Sequence, residues 1–366
     1  MLRFIKFCNY IVVKLFELIL RPFGVRQRVV FVSYFSETPN GNLKCMMDYI
    51  ESKSDVDTVH LFASYGKGAK AKLRFIGHTL RETFYYCTSS LILLEGNSYV
   101  LSVIKKKKGV TAIQVWHAAG AFKKFGADVD RLYKISGLDC ALVSSPCVED
   151  IYAHALNVPR ENVRAVGIPR ADVFTDDGFL KAAREKLDEA HPEVRGKRTV
   201  LYAPTFRGKG IDDINAKDVG ITDICGLLPD CALLVRKHPL MEPLKNADKY
   251  VSLDDADLME ALAAADILIT DYSSIIFEYS LLDRPMIFLA PDAGAYEDER
   301  GFYFGYEGFV PGRLCINVEE AAAAIEKGDF APEKRAEFRD KFTYGFDGTA
   351  TERAAKMAFD IARMRF

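Results

Sequence analysis

The 366-residue chain alternates short β-rich apolar runs with helical stretches from Arg26 onward. This alternation is typical of a mainly parallel sheet with helices on both faces, an α/β fold. The runs predicted to form a first sheet are VVFVSYF (29–35), TVHLFASY (58–65), SLILLEG (90–96), TAIQVWH (111–117), CALVSS (140–145) and NVRAVGIP (162–169). Those predicted to form a second sheet are TVLYAPTF (199–206), CALLVRKHP (231–239), ADILITDYSS (265–274), PMIFLAP (285–291) and LCINV (314–318).

A charged helical stretch between the two series indicates two domains, because single cores seldom grow beyond ~250–300 residues. Two doubly wound, Rossmann-like halves facing a cleft are therefore expected. Ligands of such sheets bind at the carboxyl ends of the strands, so residues just after a strand are the first site candidates. The predicted divisions are an N-terminal helix (1–25), a first domain (26–175), a connector (176–198), a second domain (199–345) and a C-terminal helix (346–366).

The N-terminal segment is basic and apolar, with Glu17 as its single acid before residue 29. At ~100° per residue its charged positions fall on an arc of about 80° of a helical wheel. Charges recur too often for a membrane-spanning helix, and no signal-peptide cleavage site follows. An amphipathic helix lying on the membrane surface fits, and a helix packed on the protein body is the alternative. The residues expected to contact the membrane are Arg3, Lys6, Lys14 and Arg21.

Charge and cysteine content exclude several classes of protein. The chain carries 49 basic and 51 acidic residues, which argues against a nucleic-acid binder. Its 8 cysteines form no C-x-x-C pair, so we interpret them as reduced thiols and expect no metal site. The Lys105–Lys108 run is interpreted as a solvated turn, with an anionic-lipid contact as the alternative.

His117 is the first candidate for chemistry. The chain lacks the glycine signatures of ATP and NAD sites and the G-x-S-x-G elbow. His117 closes the run TAIQVWH, and small residues follow it, which allow a ligand to come close. An imidazole suits a proton acceptor at neutral pH, although a structural core histidine is the alternative.

The second half offers groups that suit an anion. Ser273 and Ser274 stand at the predicted start of a helix, where free N–H groups and a partial positive charge favour phosphate. Glu278, one turn on, could accept a hydrogen bond from a ribose hydroxyl. Ordinary helix caps and exposed charges are the alternatives. The remaining candidates are Arg207, His238, Asp172, Arg170, Thr205 and Asp271.

The order of these motifs resembles the CDP-glycerol glycerophosphotransferase family of wall teichoic acid synthesis, from about residue 85 to 345. The segments that carry the resemblance are QVWHAAGAFKKFG (114–126), VGIPRADVF (166–174), YAPTFRG (202–208), RKHPL (236–240), LMEALAAADILITDYSSIIFEYSLLDRPMIFL (258–289) and RGFYFGYEGFVPG (300–312). Ala118 and Ala119 depart from the W-H-G-T form of the polymerases. That departure and the short length resemble the priming enzymes of the family.

The resemblance implies a GT-B fold and an enzyme on the cytoplasmic face of the membrane. Such an enzyme transfers glycerol phosphate from CDP-glycerol to an undecaprenyl-diphosphate-linked saccharide and releases CMP. His117 is then the expected base, His238 a diphosphate contact, and Ser273 and Ser274 phosphate ligands. Positive groups can replace a metal in this chemistry, so no cofactor is expected. The alternatives are a CDP-ribitol phosphotransferase, a poly(glycerol phosphate) polymerase, a GT-B nucleotide-sugar glycosyltransferase and an inactive binding scaffold; the oligomeric state stays open.

Overall fold

The structure is a computed structural model that describes residues 2–63, 69–115, 117–130, 133–207, 219–237, 241 and 244–366, without the side chains of 2–8 and 69–73. The described strands form two sheets of six strands each, and every pairing within them is parallel. The α/β prediction is therefore confirmed.

The first sheet has the strand order β2-β1-β3-β4-β5-β6, which reverses direction between β1 and β3. Its strands are β1 (Arg26–Ser33), β2 (Asp57–Phe62), β3 (Ser89–Leu94), β4 (Thr111–Gln114), β5 (Cys140–Val143) and β6 (Val163–Ala165). The order is that of flavodoxin-like doubly wound sheets, which bind ligands where the strand order reverses.

The second sheet has the order β12-β11-β10-β7-β8-β9 and reverses between β7 and β10. Its strands are β7 (Arg198–Ala203), β8 (Cys231–Val235), β9 (Val251–Ser252), β10 (Ile267–Thr270), β11 (Met286–Leu289) and β12 (Arg313–Cys315). This is the Rossmann order. Each predicted run overlaps an observed strand, and β9 was not predicted because two residues are too short to show a period.

The chain divides into two compact units, which are described here one at a time. Unit 1 comprises Met1–Ala119, Phe125–Arg170 and Tyr344–Phe366, and unit 2 comprises Gly120–Lys124 and Ala171–Thr343. The helices of unit 1 are α1 (Leu2–Leu20), α2 (Gly41–Lys53), α3 (Ala69–Thr88), α4 (Tyr99–Val103), α5 (Glu149–Leu156) and α14 (Ala350–Ala362). Those of unit 2 are α6 (Asp177–Ala190), α7 (Ile224–Leu227), α8 (Leu258–Ala264), α9 (Ile275–Ser280), α10 (Ala293–Arg300), α11 (Tyr306–Phe309), α12 (Val318–Lys327) and α13 (Pro332–Phe342).

Unit 1 has a hydrophobic core on each face of its sheet, because the side chains of successive strand residues point to opposite faces and both sets are apolar. Val29 and Phe31 of β1 pack with side chains of α2 and α14. Val30 and Val32 pack on the other face with side chains of α1, α3 and α4. The C-terminal helix, predicted as a separate segment, thus covers the sheet of unit 1. In unit 2, α7 and α12 cover one face of the second sheet.

Helix α1 packs with Lys14 and Glu17 of its polar stripe toward the protein, whereas Tyr10 and Arg21 of the same stripe are exposed. Glu17 is 5% exposed, accepts a 2.6 Å hydrogen bond from Lys14 Nζ, and accepts another from the backbone N–H of Lys105. Lys107 Nζ donates to the carbonyls of Leu20 and Phe23 at the end of the helix. The solvated-turn interpretation of the lysine run was therefore incomplete, because part of that run holds α1 in place.

The opposite side of α1 exposes apolar side chains that a core-packed helix would bury. Leu15 is 57% exposed and Ile19 is 63% exposed. Among the helices that the structure describes, none has the length and hydropathy of a membrane-spanning segment. The outward-facing apolar side chains, hereafter the α1 apolar face, are Ile11, Val12, Leu15, Leu18 and Ile19.

Candidate functional site

In unit 1 the reversal of strand order falls between β1 and β3, which are hydrogen-bonded neighbours. Ser33 ends β1, and Glu95 follows β3. His117 follows β4, the next strand of the sheet. Because the carboxyl ends of parallel strands meet at one edge, these three side chains belong to the edge at which doubly wound sheets bind ligands.

His117 is held in an enclosed setting that keeps its ring neutral. Burial and the positive charge of Arg170 together lower the pKa of His117 to about 4, against the raising effect of a hydrogen bond with the Glu95 backbone. The Phe35 ring lies against the imidazole, with 4.3 Å between ring centroids. A neutral imidazole has one nitrogen that can accept a proton, as a base requires.

Glu95 is a buried carboxyl that the sequence reasoning missed. It is 1% exposed, and burial raises its pKa to about 7 against the lowering effects of the Ser33 hydroxyl and the Arg170 charge. The Ser33 hydroxyl donates to Oε1. Oε2 is buried and accepts no hydrogen bond from the described residues. A carboxyl with such a pKa at a strand end is the kind of group that performs proton chemistry near neutral pH.

In unit 2 the strand order reverses between β7 and β10, and the candidates of the second sheet gather there. Thr205 and Arg207 follow β7, and Asp271 follows β10. Asp271 is 3% exposed and accepts hydrogen bonds from the backbone N–H groups of Thr205 (2.8 Å) and Tyr272 (2.6 Å). Asp271 therefore links the segments that follow β7 and β10 by hydrogen bonds.

Arg207 lies between two carboxylates. Its Nη1 donates to Asp271 at 2.9 Å, and its Nε and Nη2 donate to Asp292 at 2.9 and 3.1 Å. The guanidinium also stacks near Tyr272 and Tyr296, whose ring centroids lie 4.7 and 5.1 Å from Cζ. Burial opposes its charge, but the hydrogen bonds and charges of the two carboxylates raise the pKa of Arg207 overall. Most of its donors are thus used within the protein, which limits the phosphate role predicted for it.

The segment Gly120–Lys124, three residues after His117, belongs to unit 2. Lys124 N–H donates to the Gly301 carbonyl at 3.1 Å, and Tyr303 N–H donates to the Phe122 carbonyl at 3.1 Å. A side chain at residue 120 would place its Cβ 2.1 Å from the Phe277 ring, and φ there is +61°. Glycine is therefore required at this position.

Lys123, carried by the same segment, adds a cation to the unit 2 site. Its ammonium lies 5.3 Å from the centroid of the Tyr296 ring. Burial lowers the pKa of Lys123 to about 8, with Asp271 acting to raise it and Arg300 and Arg207 to lower it. The sequence signal for this residue was its place in the segment QVWHAAGAFKKFG, although nothing in that segment indicated its neighbours.

The serines lie where predicted, and Glu278 does not face an open site. Ser273 and Ser274 are half-buried and precede α9. Ser274 makes no side-chain cap, and Ser273 Oγ accepts a long 3.4 Å contact from the Ile275 N–H. Glu278 is fully buried. Its predicted contact with a ribose would require α9 to move.

The other sequence candidates are scattered. Arg170 donates its backbone N–H to Asn42 Oδ1 at 3.1 Å in unit 1, and Asp172 lies on the unit 2 side of the 3-10 segment Pro169–Thr175. Thr205 keeps a buried hydroxyl that has no hydrogen bond with described residues. His238 and the side chains of Arg3 and Lys6 lie outside the described residues, and Arg21 is exposed.

Comparison with known proteins identifies the family of the chain. A model of the family CDP-Glycerol:Poly(glycerophosphate) glycerophosphotransferase matches residues 15–360, a longer stretch than the sequence resemblance indicated. The chain is 32% identical over 348 residues to the teichoic acid ribitol-phosphate primase of Bacillus spizizenii, covering 90% of each chain. It is 28% identical over 291 residues to the teichoic acid glycerol-phosphate primase of Bacillus subtilis, covering 75% of this chain and 74% of that protein.

The fold has a solved counterpart. The structure of the wall teichoic acid polymerase TagF superposes with a TM-score of 0.75 at 20% identity, covering 98% of this chain and 95% of that one. At 20% identity, this structural similarity supports the fold of the chain and nothing about its substrate. It agrees with the two Rossmann-like halves expected from the sequence.

Proposed function

Because the chain belongs to the CDP-glycerol:poly(glycerophosphate) glycerophosphotransferase family, a family of teichoic acid primases and polymerases, we propose that it transfers glycerol phosphate from CDP-glycerol to a lipid-linked saccharide. The proposed acceptor is an undecaprenyl-diphosphate-linked disaccharide, and the second product is CMP. The observation that carries the proposal is the neutral His117 beside Glu95 where the strand order of unit 1 reverses.

The proposed reaction is an in-line displacement at the phosphorus that bears the glycerol. The acceptor hydroxyl gives its proton to His117, and its oxygen forms the new bond to phosphorus. The bond from phosphorus to the bridging oxygen breaks, and its electron pair leaves on the CMP phosphate. Ser273, Ser274, Lys123 and His238 are proposed to donate to the diphosphate and to stabilise the charge on CMP.

No metal or other cofactor takes part in this proposal, because cationic side chains and N–H groups neutralise the phosphates. The carboxylates of the Asp254–Asp257 loop are of the type that binds divalent cations, but two of them have contacts within the protein. Asp254 accepts the Lys237 N–H at 2.9 Å, and Asp257 caps α8. No cluster of metal-ligand side chains occurs within the part of the chain that the structure describes. Chelation with EDTA is expected to leave the transfer rate unchanged.

A CDP-ribitol donor is the second candidate. A specific observation favours it, since the ribitol-phosphate primase matches this chain at 32% identity along 90% of both proteins. The glycerol-phosphate primase matches at 28% and over a smaller share. The two donors differ by two hydroxymethylene units, so a direct competition between them decides which one the site accepts.

The test offers the purified protein CDP-glycerol, CDP-ribitol and a nucleotide sugar, each with a synthetic lipid-diphosphate disaccharide. The mass of the lipid product then reports one added glycerol phosphate, one ribitol phosphate, a sugar, or a series of repeats. One added glycerol phosphate with release of CMP supports the proposal. A ribitol product supports the second candidate, repeats indicate a polymerase, and a sugar product contradicts the whole scheme.

We also propose that the protein works at the cytoplasmic face of the membrane, with the α1 apolar face lying in the lipid interface. Leu15, Leu18 and Ile19 are each more than half exposed, although an amphipathic helix normally buries its apolar side. The polar stripe is occupied by contacts of Glu17 and Lys14 within unit 1. Apolar burial is therefore proposed to dominate binding, and Arg21 at the helix end to add attraction for anionic headgroups.

Substitution tests the membrane proposal better than deletion, because Val13 and Leu20 of α1 are buried in the core of unit 1. Ile19→Glu should abolish cosedimentation with phosphatidylglycerol vesicles. Ile316→Glu is the matched control, since Ile316 is 60% exposed in unit 2 and should be neutral to binding. Unchanged vesicle binding by Ile19→Glu would contradict the proposal, and a change from dimer to monomer would assign the face to a second copy of the chain.

A further inference from the structure

We propose that Glu95 is a positioning residue for His117, whose backbone carbonyl orients the imidazole and whose carboxylate stabilises the imidazolium formed during transfer. The inference rests on the proposed function. It concerns a residue that lies in no motif of the sequence resemblance.

Topology places Glu95 beside the imidazole. Glu95 follows β3 at the reversal of strand order, and its backbone N–H donates to the Val32 carbonyl of β1 at 3.1 Å. On the other side, Val115 N–H donates to the Leu94 carbonyl at 2.7 Å, and Gln114 Nε2 donates to the Gly96 carbonyl at 2.9 Å. These bonds fix the backbone of residues 94–96 against the strand that leads to His117.

The backbone carbonyl of Glu95 sets the direction of the imidazole. One ring nitrogen of His117 donates to it, so the other nitrogen carries the lone pair that receives the proton. The Phe35 ring, 4.3 Å away between centroids, limits rotation of the imidazole. This part of the role depends on the backbone and survives a change of the side chain.

The Glu95 carboxylate is proposed to stabilise the positive charge that forms on His117 during transfer. Accepting the proton makes His117 a cation in a buried position where the Arg170 charge already lowers its pKa. A negative group nearby offsets that repulsion. Glu95 is the buried carboxyl at this strand end, and although Ser33 and the Arg170 charge act on it, its Oε2 accepts no hydrogen bond from the described residues.

The groups that act on Glu95 come from the elements around it. Ser33 of β1 donates to Oε1, and Arg170 acts through its charge. From α3, Glu82 accepts the hydroxyls of Tyr34 and Tyr86 and lies 3.5 Å from His78, and it is not among the groups that shift Glu95. Glu82 therefore provides a matched buried carboxyl in the same unit.

The test is the pH profile of transfer with Glu95→Gln, which keeps the backbone carbonyl and the size of the side chain. The wild-type rate should fall on the acid side near pH 7, where Glu95 becomes protonated. Glu95→Gln should lose that limb and turn over ~10- to 100-fold more slowly at pH 8, within the range of a positioned proton acceptor, with the KM for donor unchanged. A wild-type rate and limb in Glu95→Gln would overturn the inference.

Two further variants keep the test decisive. Ser33→Ala removes a hydrogen bond that lowers the pKa of Glu95, so the acid limb should move to higher pH. Glu82→Gln should leave the limb where it is in the wild type. If Ser33→Ala leaves the limb in place, or if Glu82→Gln moves it, the limb does not belong to Glu95.

A measurement without substrate separates this inference from the proposed function. Carbon-13 NMR of the substrate-free protein follows the Glu95 carboxyl directly, with Glu95→Gln used to assign its signal. A midpoint near pH 7 supports the inference, and a midpoint below pH 5 overturns it even where transfer is observed. Absence of transfer from any CDP-alditol, together with a midpoint near pH 7, would instead reject the proposed function.

Discussion

The two sites at which the strand order reverses differ in how closely opposite charges surround their buried ionisable groups. In unit 1, desolvation outweighs the Arg170 charge at the buried Glu95 and raises its pKa to about 7, and desolvation together with that charge lowers the pKa of the half-buried His117 to about 4. In unit 2, Arg207 is buried between Asp271 and Asp292, and its pKa is raised. Burial without a countercharge favours neutral forms, whereas burial with one fixes the charge.

This difference shows how one chain can hold a titrating site and a permanently charged site on two related sheets. In unit 1, Glu95 with a pKa of about 7 can exchange protons near neutral pH, and the neutral His117 ring keeps a lone pair for a proton. In unit 2, the Arg207 network keeps its charge at this pH and gives a rigid frame for phosphate donors such as Lys123, whose own pKa burial lowers to about 8. The experiments below test the two sites against each other.

The largest expected effect comes from His117→Ala. Loss of a positioned proton acceptor should lower kcat by ~10²–10⁴-fold while donor affinity stays nearly unchanged, because the proposed donor contacts lie in unit 2. Steady-state kinetics and calorimetry with CDP-glycerol measure the two quantities. His154→Ala is the control, since the His154 side chain is 73% exposed and lies in the same unit. Near-normal turnover of a folded His117→Ala protein would contradict the role of base, and Asp172 would be the next candidate.

The second effect is on stability and concerns unit 2. Arg207→Leu leaves Asp271 and Asp292 without their partner and should reduce the free energy of unfolding by ~3–5 kcal/mol. Urea denaturation measures this change. Arg339→Leu breaks an ion pair with the largely exposed Asp283 and should cost ~1 kcal/mol or less. Equal losses in both variants would show that the Arg207 network is no more than a surface ion pair.

The third effect is on donor binding in unit 2. Replacing Ser273 and Ser274 together by Ala should weaken binding of CDP-glycerol by ~1–3 kcal/mol per lost charged hydrogen bond. Calorimetry measures the affinity, and Ser252→Ala, an exposed serine after β8, serves as the control. Unchanged affinity in the double variant would remove both serines from the donor site.

The smallest effect is the pH dependence of stability, in which the two groups of unit 1 oppose each other. The unfolded state binds more protons at His117, so stability should rise with pH between about 4 and ~6.5. The folded state binds more protons at Glu95, so stability should fall as pH rises from 4.5 to about 7. Urea midpoints across this range should therefore change little in the wild type.

Variants that remove one of the two groups should show how His117 and Glu95 each contribute to the pH dependence of stability. Glu95→Gln should gain stability steadily with rising pH, and His117→Ala should lose it, over the same range. Ser252→Ala should leave the pH dependence of the wild type unaltered, because it changes an exposed side chain and removes no titrating group. A flat profile in both unit 1 variants would mean that neither group has a shifted pKa.

The positions of His117, Arg207 and the serines could be predicted because each follows an apolar run that becomes a strand. The partners of these residues could not. Ser33 and Phe35 come from one stretch of chain and Glu95 from another, and nothing in their spacing indicates that they meet at His117. Asp292 reaches Arg207 from 85 residues further along the chain, and the sequence contains no sign of that pairing.

The sequence by itself determined the strands, the division into two doubly wound halves and the family, because apolar periodicity and ordered motifs are local properties of the chain. Only the tertiary structure decided which charges are matched. Folding turned Glu17 of α1 inward, paired Arg207 with two carboxylates, and left Glu95 and His117 in a setting that favours their neutral forms. The physical reason is that a pKa and an ion pair depend on burial and on neighbours brought together by folding.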